Sequence, residues 1–218
     1  MIEAASVAIS KAKIAGLYAI ADRAYLRPEQ FAPAVMQAIA GGARIIQYRD
    51  KLSDENERAD IATELAALCR RLGCPLIVND DVRLAMTVGA HGVHLGWDDT
   101  DIAGARRLLE ARALIGVSCY NDLARAQAAE DAGADYVAFG SFYPSSTKPQ
   151  AVRAELELLR AARRLLRVPI VAIGGITTDN GAALLAAGAD ALAAIEGVFG
   201  QPDIRAAAAR YARLFELI

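Results

Sequence analysis

One strand-like run in this chain ends in polar side chains that could bind phosphate. Ile45 and Ile46 lead into Gln47, Arg49 and Lys51, which are spaced at i, i+2 and i+4. In an extended chain this spacing puts all three side chains on one face. An amide and two cations on one face suit a phosphate or a pyrophosphate. The alternative interpretation is an exposed strand end with solvated charges.

The elements around this run alternate between short apolar segments and longer helical patterns. Apolar periodicity predicts helices over residues 54–72, 156–166 and 203–218. Continuous apolar runs are typical of strands buried on both faces, and eight such runs predict strands. They span residues 17–21, 44–49, 76–79, 92–95, 114–119, 136–142, 169–173 and 192–196.

Eight β/α units predict an α/β protein with a single (β/α)8 TIM barrel over residues 1–218. Residues 1–16 would be an N-terminal extension or helix. A doubly wound open sheet is the alternative, but it would need a switch point and usually has fewer strands.

Composition limits the classes of partner. The chain has 218 residues, 55% of them hydrophobic, and a net charge of −2, so nucleic acid is not expected as its main partner. No apolar run reaches the ~18 residues of a membrane span. Its three cysteines have no metal-ligand spacing and predict reduced thiols in a cytoplasmic protein. Small phosphorylated molecules are the expected partners, and assembly into a homo-oligomer is left open.

Polar residues follow the predicted strands at their carboxyl ends, which is where barrels of this type carry their chemistry. Cations and carboxylates on this face predict a site for pyrophosphate with Mg²⁺, which binds hard oxygen ligands. The alternative role for the aspartates is capping the helices that follow them. The cations are Arg49, Lys51 and Lys148, and the carboxylates are Asp80, Asp98 and Asp99.

A glycine pair after the seventh strand indicates a second phosphate site. Gly174 and Gly175 would expose backbone N–H groups ahead of a helix, in a position that often binds phosphate in this fold. Neither His91 nor His94 is expected to act as a general base, because each stands next to or within an apolar strand. No Cys–His or Ser–His spacing indicates a covalent nucleophile.

Seven motifs, in order along the chain, resemble the thiamine phosphate synthase family. The resemblance covers about residues 17–203. The motifs are YAIAD at 18–22, QYRDK at 47–51, IVND at 77–80, GVHLG at 92–96 with Asp98 and Asp99, GVS at 116–118, the segment 140–149, and AIGGI at 172–176.

The resemblance implies a TIM-barrel transferase that joins hydroxymethylpyrimidine pyrophosphate to a thiazole phosphate and releases pyrophosphate. The bond to the leaving group breaks early, which leaves a pyrimidine carbocation. By position, the pyrophosphate would be held by Gln47, Arg49, Lys51, Asn79, Ser118 and Lys148. The thiazole phosphate would be held by Ser145, Thr147, Gly175, Ile195 and Glu196. Asp80 and Asp99 would hold Mg²⁺. Ser118, Lys148, Arg49 and Lys51 would carry the catalysis.

Three positions depart from the family pattern: Trp97, Ser145 and Glu196. Glu196 matters most, because a carboxylate ~4 Å from a phosphate charge would cost up to ~4 kcal/mol at an effective dielectric near 20. We expect its side chain to turn away and leave the backbone N–H at the site.

Three alternative functions remain. A thiazole tautomerase would need a histidine after strand five, where this chain has Ser118, Cys119 and Tyr120. A non-catalytic barrel that senses a phosphorylated ligand is less consistent with the retained Mg²⁺ aspartates, although Glu196 keeps it open. Another phosphate-binding barrel enzyme, such as an epimerase, would need an acid/base pair that the strand ends do not supply.

Overall fold

Eight parallel strands close into a barrel in chain order, which confirms the predicted (β/α)8 TIM barrel. The computed structural model describes residues 14–96, 101–109, 111–145 and 152–216. The strands are β1 (Gly16–Asp22), β2 (Ala43–Arg49), β3 (Leu76–Asn79), β4 (Gly92–Leu95), β5 (Leu114–Tyr120), β6 (Tyr136–Phe139), β7 (Ile170–Ile173) and β8 (Ala191–Ala194). Pairing of β1 with β8 closes the barrel.

Helices follow the strands and form the outer layer. They are α1 (Phe31–Ala40), α2 (Glu55–Leu72), α3 (Val82–Val88), α4 (Ile102–Leu108), α5 (Leu123–Asp131), α6 (Leu156–Leu165), α7 (Gly181–Ala186), α8 (Glu196–Phe199) and α9 (Ile204–Leu214). No helix in the described part of the chain is long and apolar enough to cross a membrane.

Two predicted strands end earlier than the apolar pattern suggests. The sixth was expected to run to residue 142, but β6 ends at Phe139 and the chain turns so that the Phe142 amide donates to Ile173. The eighth was expected to run to residue 196, but β8 ends at Ala194 and Glu196 begins helix α8. Apolar residues continue past both ends because residues 140–142 are buried after β6, and Val198 and Phe199 of helix α8 are buried after β8. The predicted extension over residues 1–16 lies outside the described residues except for its last three, and Gly16 already belongs to β1.

The hydrophobic core has two layers. Leu65, Leu159 and Phe31 belong to the larger layer, in which helix side chains pack on the outside of the strands. The inside of the barrel holds a smaller cluster that includes Ile45 and Ile77. Both strand faces are therefore buried, which explains the continuous apolar runs in the sequence.

Two carboxylates, Asp135 and Asp190, stabilise the amino-terminal end of the barrel by binding both a strand amide and an arginine. Asp135 accepts a hydrogen bond from the Ile115 amide at 2.8 Å and another from Arg106 at 2.6 Å. Asp190 accepts from the Ile170 amide at 2.7 Å and pairs with Arg163. Each carboxylate thus satisfies an amide at the start of a strand, the second of β5 or the first of β7, and connects that strand to an outer helix.

Candidate active site

A cavity of about 930 Å³ opens at the carboxyl ends of the strands. Side chains or backbone from most of the strands line it, and its floor is the top of the barrel interior. The predicted site residues that line it are Gln47, Arg49, Asn79, Ser118, Ser145, Gly175, Ile195 and Glu196. The structure therefore brings eight residues from six segments of the chain into one cavity.

Arg49 is held at the cavity by a buried carboxylate. Its guanidinium donates to Asp22 Oδ2 at 2.5 Å, and Asp22 is 1% exposed while the Arg49 side chain is 23% exposed. Asp22 also accepts from the Ala24 amide at 2.9 Å, which fixes its orientation. Sequence analysis did not assign Asp22 to the site. The available signal was its position at the carboxyl end of the first strand.

Lys51 and Asp80 form an ion pair between the loops after β2 and β3. Neither residue lines the cavity, but Asp80 directly follows Asn79, which does. Asp80 has a positive φ of 63°, a backbone conformation that costs a non-glycine residue roughly 1 kcal/mol or more. Its amide donates to the His94 carbonyl at 2.8 Å, which holds the strained turn in place. Asp81, the next residue, caps helix α3.

The loop that carries Lys51 is organised by Asp50. Its carboxylate accepts from the Leu52 and Ser53 amides at 2.9 and 3.0 Å and from the Tyr48 hydroxyl at 3.0 Å. Burial acts to raise the pKa of Asp50, but the hydrogen bonds outweigh it and the pKa lies below its ordinary value. Asp50 is thus an ionised anchor for the loop.

Gln47 lies deeper in the barrel than Arg49 and Lys51. It is 3% exposed, and its Nε2 donates to the Tyr18 hydroxyl at 2.8 Å. Lys51 lies beyond the end of β2, and its side chain is 52% exposed. The i, i+2, i+4 spacing therefore spreads the three side chains over different depths rather than over one flat patch.

Three interior residues that sequence analysis left out of the site connect Gln47 to Ser118. The Tyr18 and Tyr136 hydroxyls are 2.8 Å apart, and the Tyr136 hydroxyl is 3.1 Å from His94 Nδ1. His94 Nε2 is 2.9 Å from Ser118 Oγ. No local signal marks such a network, because its members come from five strands.

The second histidine is structural. His91 Nδ1 accepts from the Leu76 amide at 3.0 Å at the amino-terminal end of the barrel. Burial, with a smaller contribution from Arg70, lowers its pKa, which favours the neutral ring.

The glycine pair after β7 is required by close packing against the loop after β6. Gly174 and Gly175 have φ values of 101° and 62°. A Cβ on Gly174 would lie 2.0 Å from Ser141 Oγ, and one on Gly175 would lie 2.2 Å from the Pro144 carbonyl oxygen. The pair therefore lets the segment that leads to Ser145 approach the end of β7.

Ile195 and Glu196 complete the opposite wall. Ile195 precedes helix α8, and Glu196 is its first residue. The Glu196 side chain is exposed, whereas Ile195 is partly buried. The backbone N–H groups at the start of α8 are thus next to the cavity, as are those of the glycine turn.

Four of the residues predicted for this face, Asp98, Asp99, Thr147 and Lys148, lie outside the described residues. Within the described ranges no group of three His, Cys, Asp or Glu side chains could hold a metal ion. Asp80 is the predicted metal ligand that the structure describes. Its side chain is 25% exposed and already has a cation, Lys51, beside it. A partly exposed carboxylate next to the cavity fits the hard oxygen ligands that Mg²⁺ binds.

Fold and site together define a (β/α)8 barrel protein with a cavity at the carboxyl ends of its strands, lined by Arg49 and several polar side chains. Over residues 17–198 the chain matches the family model described as thiamine monophosphate synthase. Thiamine-phosphate synthase of Nitrosococcus oceani is 55% identical over 202 residues, which is 93% of each chain. That of Thiobacillus denitrificans is 54% identical over 200 residues, 92% of this chain and 94% of the relative.

A solved structure agrees with these relatives. Thiamine phosphate pyrophosphorylase from Pyrococcus furiosus superposes with a TM-score of 0.85 at 35% identity, over 95% of this chain and 98% of that one. The chain therefore belongs to the thiamine monophosphate synthase family and, with it, to the transferases of thiamine biosynthesis. The resemblance inferred from the seven motifs is confirmed.

Proposed function

We propose that this protein joins hydroxymethylpyrimidine pyrophosphate to a thiazole phosphate, forming thiamine phosphate and releasing pyrophosphate. The observation that carries the proposal is the Arg49 guanidinium, which a buried Asp22 holds at a cavity of about 930 Å³. That volume is in the range of sites for small organic ligands. The named relatives support the same reaction.

The pyrophosphate of the first substrate would bind along the ends of β2, β3 and β5. Arg49 would supply a planar pair of donors, and Lys51 would supply a point charge after leaving Asp80. Asn79 and Ser118 would donate from neighbouring strand ends, and Gln47 would contact the same substrate from below. Lys148 would add a cation from the segment outside the described residues.

The cations would act on the leaving group. When the carbon–oxygen bond breaks, negative charge gathers on the departing pyrophosphate and positive charge on the pyrimidine carbon. Arg49, which Asp22 already holds in place, would stabilise this charge without reorganising. The thiazole nitrogen then captures the carbocation, so this route requires no strong base. The engagement of both His94 nitrogens with Tyr136 and Ser118 is consistent with that mechanism.

Asp80, together with Asp99, would hold Mg²⁺. Typical Mg²⁺ sites in proteins use one or two carboxylates plus phosphate oxygens of the substrate. When bound, the ion would neutralise charge on the pyrophosphate. Asp80 would then exchange its contact with Lys51 for the metal, which would free that ammonium for the substrate.

The thiazole phosphate would bind on the opposite wall of the cavity. Ser145 and Thr147 would donate from their hydroxyls, while Gly175 and the backbone at Ile195 and Glu196 would donate from their amides. Glu196 lines the cavity, and its Cγ lies beside Gly200 at the end of helix α8, which supports a carboxylate turned toward that helix and away from the phosphate.

The cytoplasm is the proposed location. Cys69, Cys74 and Cys119 are all buried free thiols. Burial raises the pKa of Cys74 and of Cys119 to about 12, which favours the unreactive thiol over the thiolate.

A product assay tests the reaction directly. Purified protein would be incubated with both substrates over a range of Mg²⁺ concentrations, and thiamine phosphate and pyrophosphate would be measured together. We expect both products in equal amounts, with loss of both when a chelator is added and recovery when Mg²⁺ is restored. No product at any Mg²⁺ concentration would refute the proposed reaction, and full activity in chelator would refute the metal assignment.

A further inference from the structure

Five side chains form a continuous hydrogen-bonded chain through the interior of the barrel. The order is Gln47, Tyr18, Tyr136, His94 and Ser118, from strands β2, β1, β6, β4 and β5. The four contacts are between 2.8 and 3.1 Å long. Both ends of the chain, Gln47 and Ser118, line the cavity.

The barrel is shaped to hold this chain. Tyr18 and Tyr136 are 1% and 0% exposed. A Cβ on Gly116 would lie 2.0 Å from the Tyr136 ring, so the glycine leaves the space that this phenol occupies. Two phenols and an imidazole in an otherwise apolar interior are costly to bury unless their polar atoms are satisfied, and here each is.

The chemistry of the donors gives the chain a direction. Gln47 presents its Nε2 amide to Tyr18 and can only donate there. Of the two possible directions at the next contact, only one lets each hydroxyl accept one hydrogen bond and donate one: Tyr18 donates to Tyr136, and Tyr136 donates to His94 Nδ1. Burial raises the pKa of Tyr18 and of Tyr136, so both phenols keep these protons at neutral pH.

The direction determines the state of His94. In this direction Nδ1 accepts from Tyr136, which requires the neutral imidazole with its proton on Nε2, and that proton is donated to Ser118 Oγ. Ser118 is therefore an acceptor toward His94, and its own hydroxyl proton is left to donate into the cavity.

We propose that this chain orients the Ser118 hydroxyl as a hydrogen-bond donor to the anionic substrate group, with His94 and Tyr136 as positioning residues. The identity of that group as the leaving pyrophosphate rests on the proposed function. In the reverse direction, with the Gln47 carbonyl accepting from Tyr18, the Ser118 hydroxyl would donate to His94 Nε2 and could not donate to the substrate. The Gln47 amide is therefore the element that sets the direction.

The tautomer of His94 can be measured without substrate or turnover. The chain has two histidines, so ¹⁵N-histidine labelling gives two rings, which the spectrum of His94→Gln assigns. We expect a proton on Nε2 and none on Nδ1 of His94, and mixed tautomers in Tyr136→Phe. A proton on Nδ1 of wild-type His94, or an unchanged single tautomer in Tyr136→Phe, would overturn the proposal. His91 is the internal control, because its Nδ1 contact with the Leu76 amide is unaffected.

A double-mutant cycle tests whether His94 acts through Ser118. We expect His94→Leu to lower kcat about tenfold, and His94→Gln, which keeps an N–H donor, to recover most of the loss. Combined with Ser118→Ala, His94→Leu should add less than about twofold. Fully additive losses would overturn the positioning role. If Ser118→Ala alone has no effect while the tautomer is as expected, the proposed role of Ser118 in the reaction fails but the chain and its direction stand. If His94→Leu does not fold, Tyr136→Phe replaces it in the cycle.

Discussion

The two ends of the barrel use the same ion-pair chemistry for different purposes. At the amino-terminal end, Asp135 binds Arg106 and also accepts a strand amide. At the carboxyl-terminal end, Asp22 binds Arg49, but the rest of the guanidinium faces a cavity. The first pair lies away from the cavity and supports a strand, whereas the arginine of the second pair lines the cavity.

This difference separates stability from activity. A carboxylate that satisfies a buried amide stabilises the fold, because removing it leaves an orphaned donor. Asp22 also accepts an amide, that of Ala24, but the cation that it orients lines the cavity, so it stabilises the geometry of the site as well. Substitutions at the amino-terminal end should therefore mainly lower stability, whereas substitutions at the carboxyl-terminal end should mainly lower activity.

Arg49→Ala should have the largest kinetic effect. It removes the cation expected to stabilise the leaving pyrophosphate, so we expect kcat/KM to fall roughly 10²- to 10³-fold, as on loss of a preorganised donor. Steady-state kinetics on folded protein checks this. The matched control is Arg163→Ala, which removes an arginine from the Asp190 pair at the other end and should leave kcat/KM unchanged. Equal losses of kcat/KM in both variants would contradict the inference that only the carboxyl-terminal ion pair serves activity.

Asp135→Ala should have the largest effect on stability. It orphans the Ile115 amide and leaves Arg106 without its ion pair, so we expect the free energy of unfolding to fall by roughly 2–3 kcal/mol. Urea denaturation measures the loss. Specific activity of the folded variant should stay near wild type. An unfolding free energy unchanged within ~0.5 kcal/mol would contradict the inference that Asp135 stabilises the amino-terminal end of the barrel.

Asp50→Asn should show a pH-dependent difference in stability. The folded-state pKa of Asp50 is lowered, so its contribution is present above the unfolded value of about 3.9 and is lost as pH falls through the folded value. We expect the difference between wild type and Asp50→Asn in unfolding free energy to shrink as the pH is lowered from 7 to 3. A constant difference would mean that the charge of Asp50 is not what organises the loop.

Glu196→Ser should have the smallest effect. If the side chain points away from the thiazole phosphate, the KM for that substrate should change less than about threefold. Initial rates at a saturating concentration of the pyrimidine substrate provide the measurement. A KM lowered tenfold or more would indicate that the carboxylate faces the phosphate and repels it.

The sequence by itself determined the number and order of the strands and the position of most polar groups at their carboxyl ends. These features depend on local patterns: apolar runs, the alternation of side chains along strands, and the residues that begin and end helices. Local patterns were enough to predict four residues that line the cavity: Gln47, Arg49, Asn79 and Ser118. The ends of the sixth and eighth strands could not be predicted, because apolar residues of the following turn and helix continue the pattern.

Only the tertiary structure decided which polar groups meet. Asp22 reaches Arg49 and Lys51 reaches Asp80 through the register of neighbouring strands. The path from Gln47 to Ser118 runs through Tyr18, Tyr136 and His94, and its central contact joins residues 118 positions apart. The physical reason is that a hydrogen bond needs atoms within about 3 Å. Side chains from strands that are far apart in the sequence come within that distance only because the barrel closes.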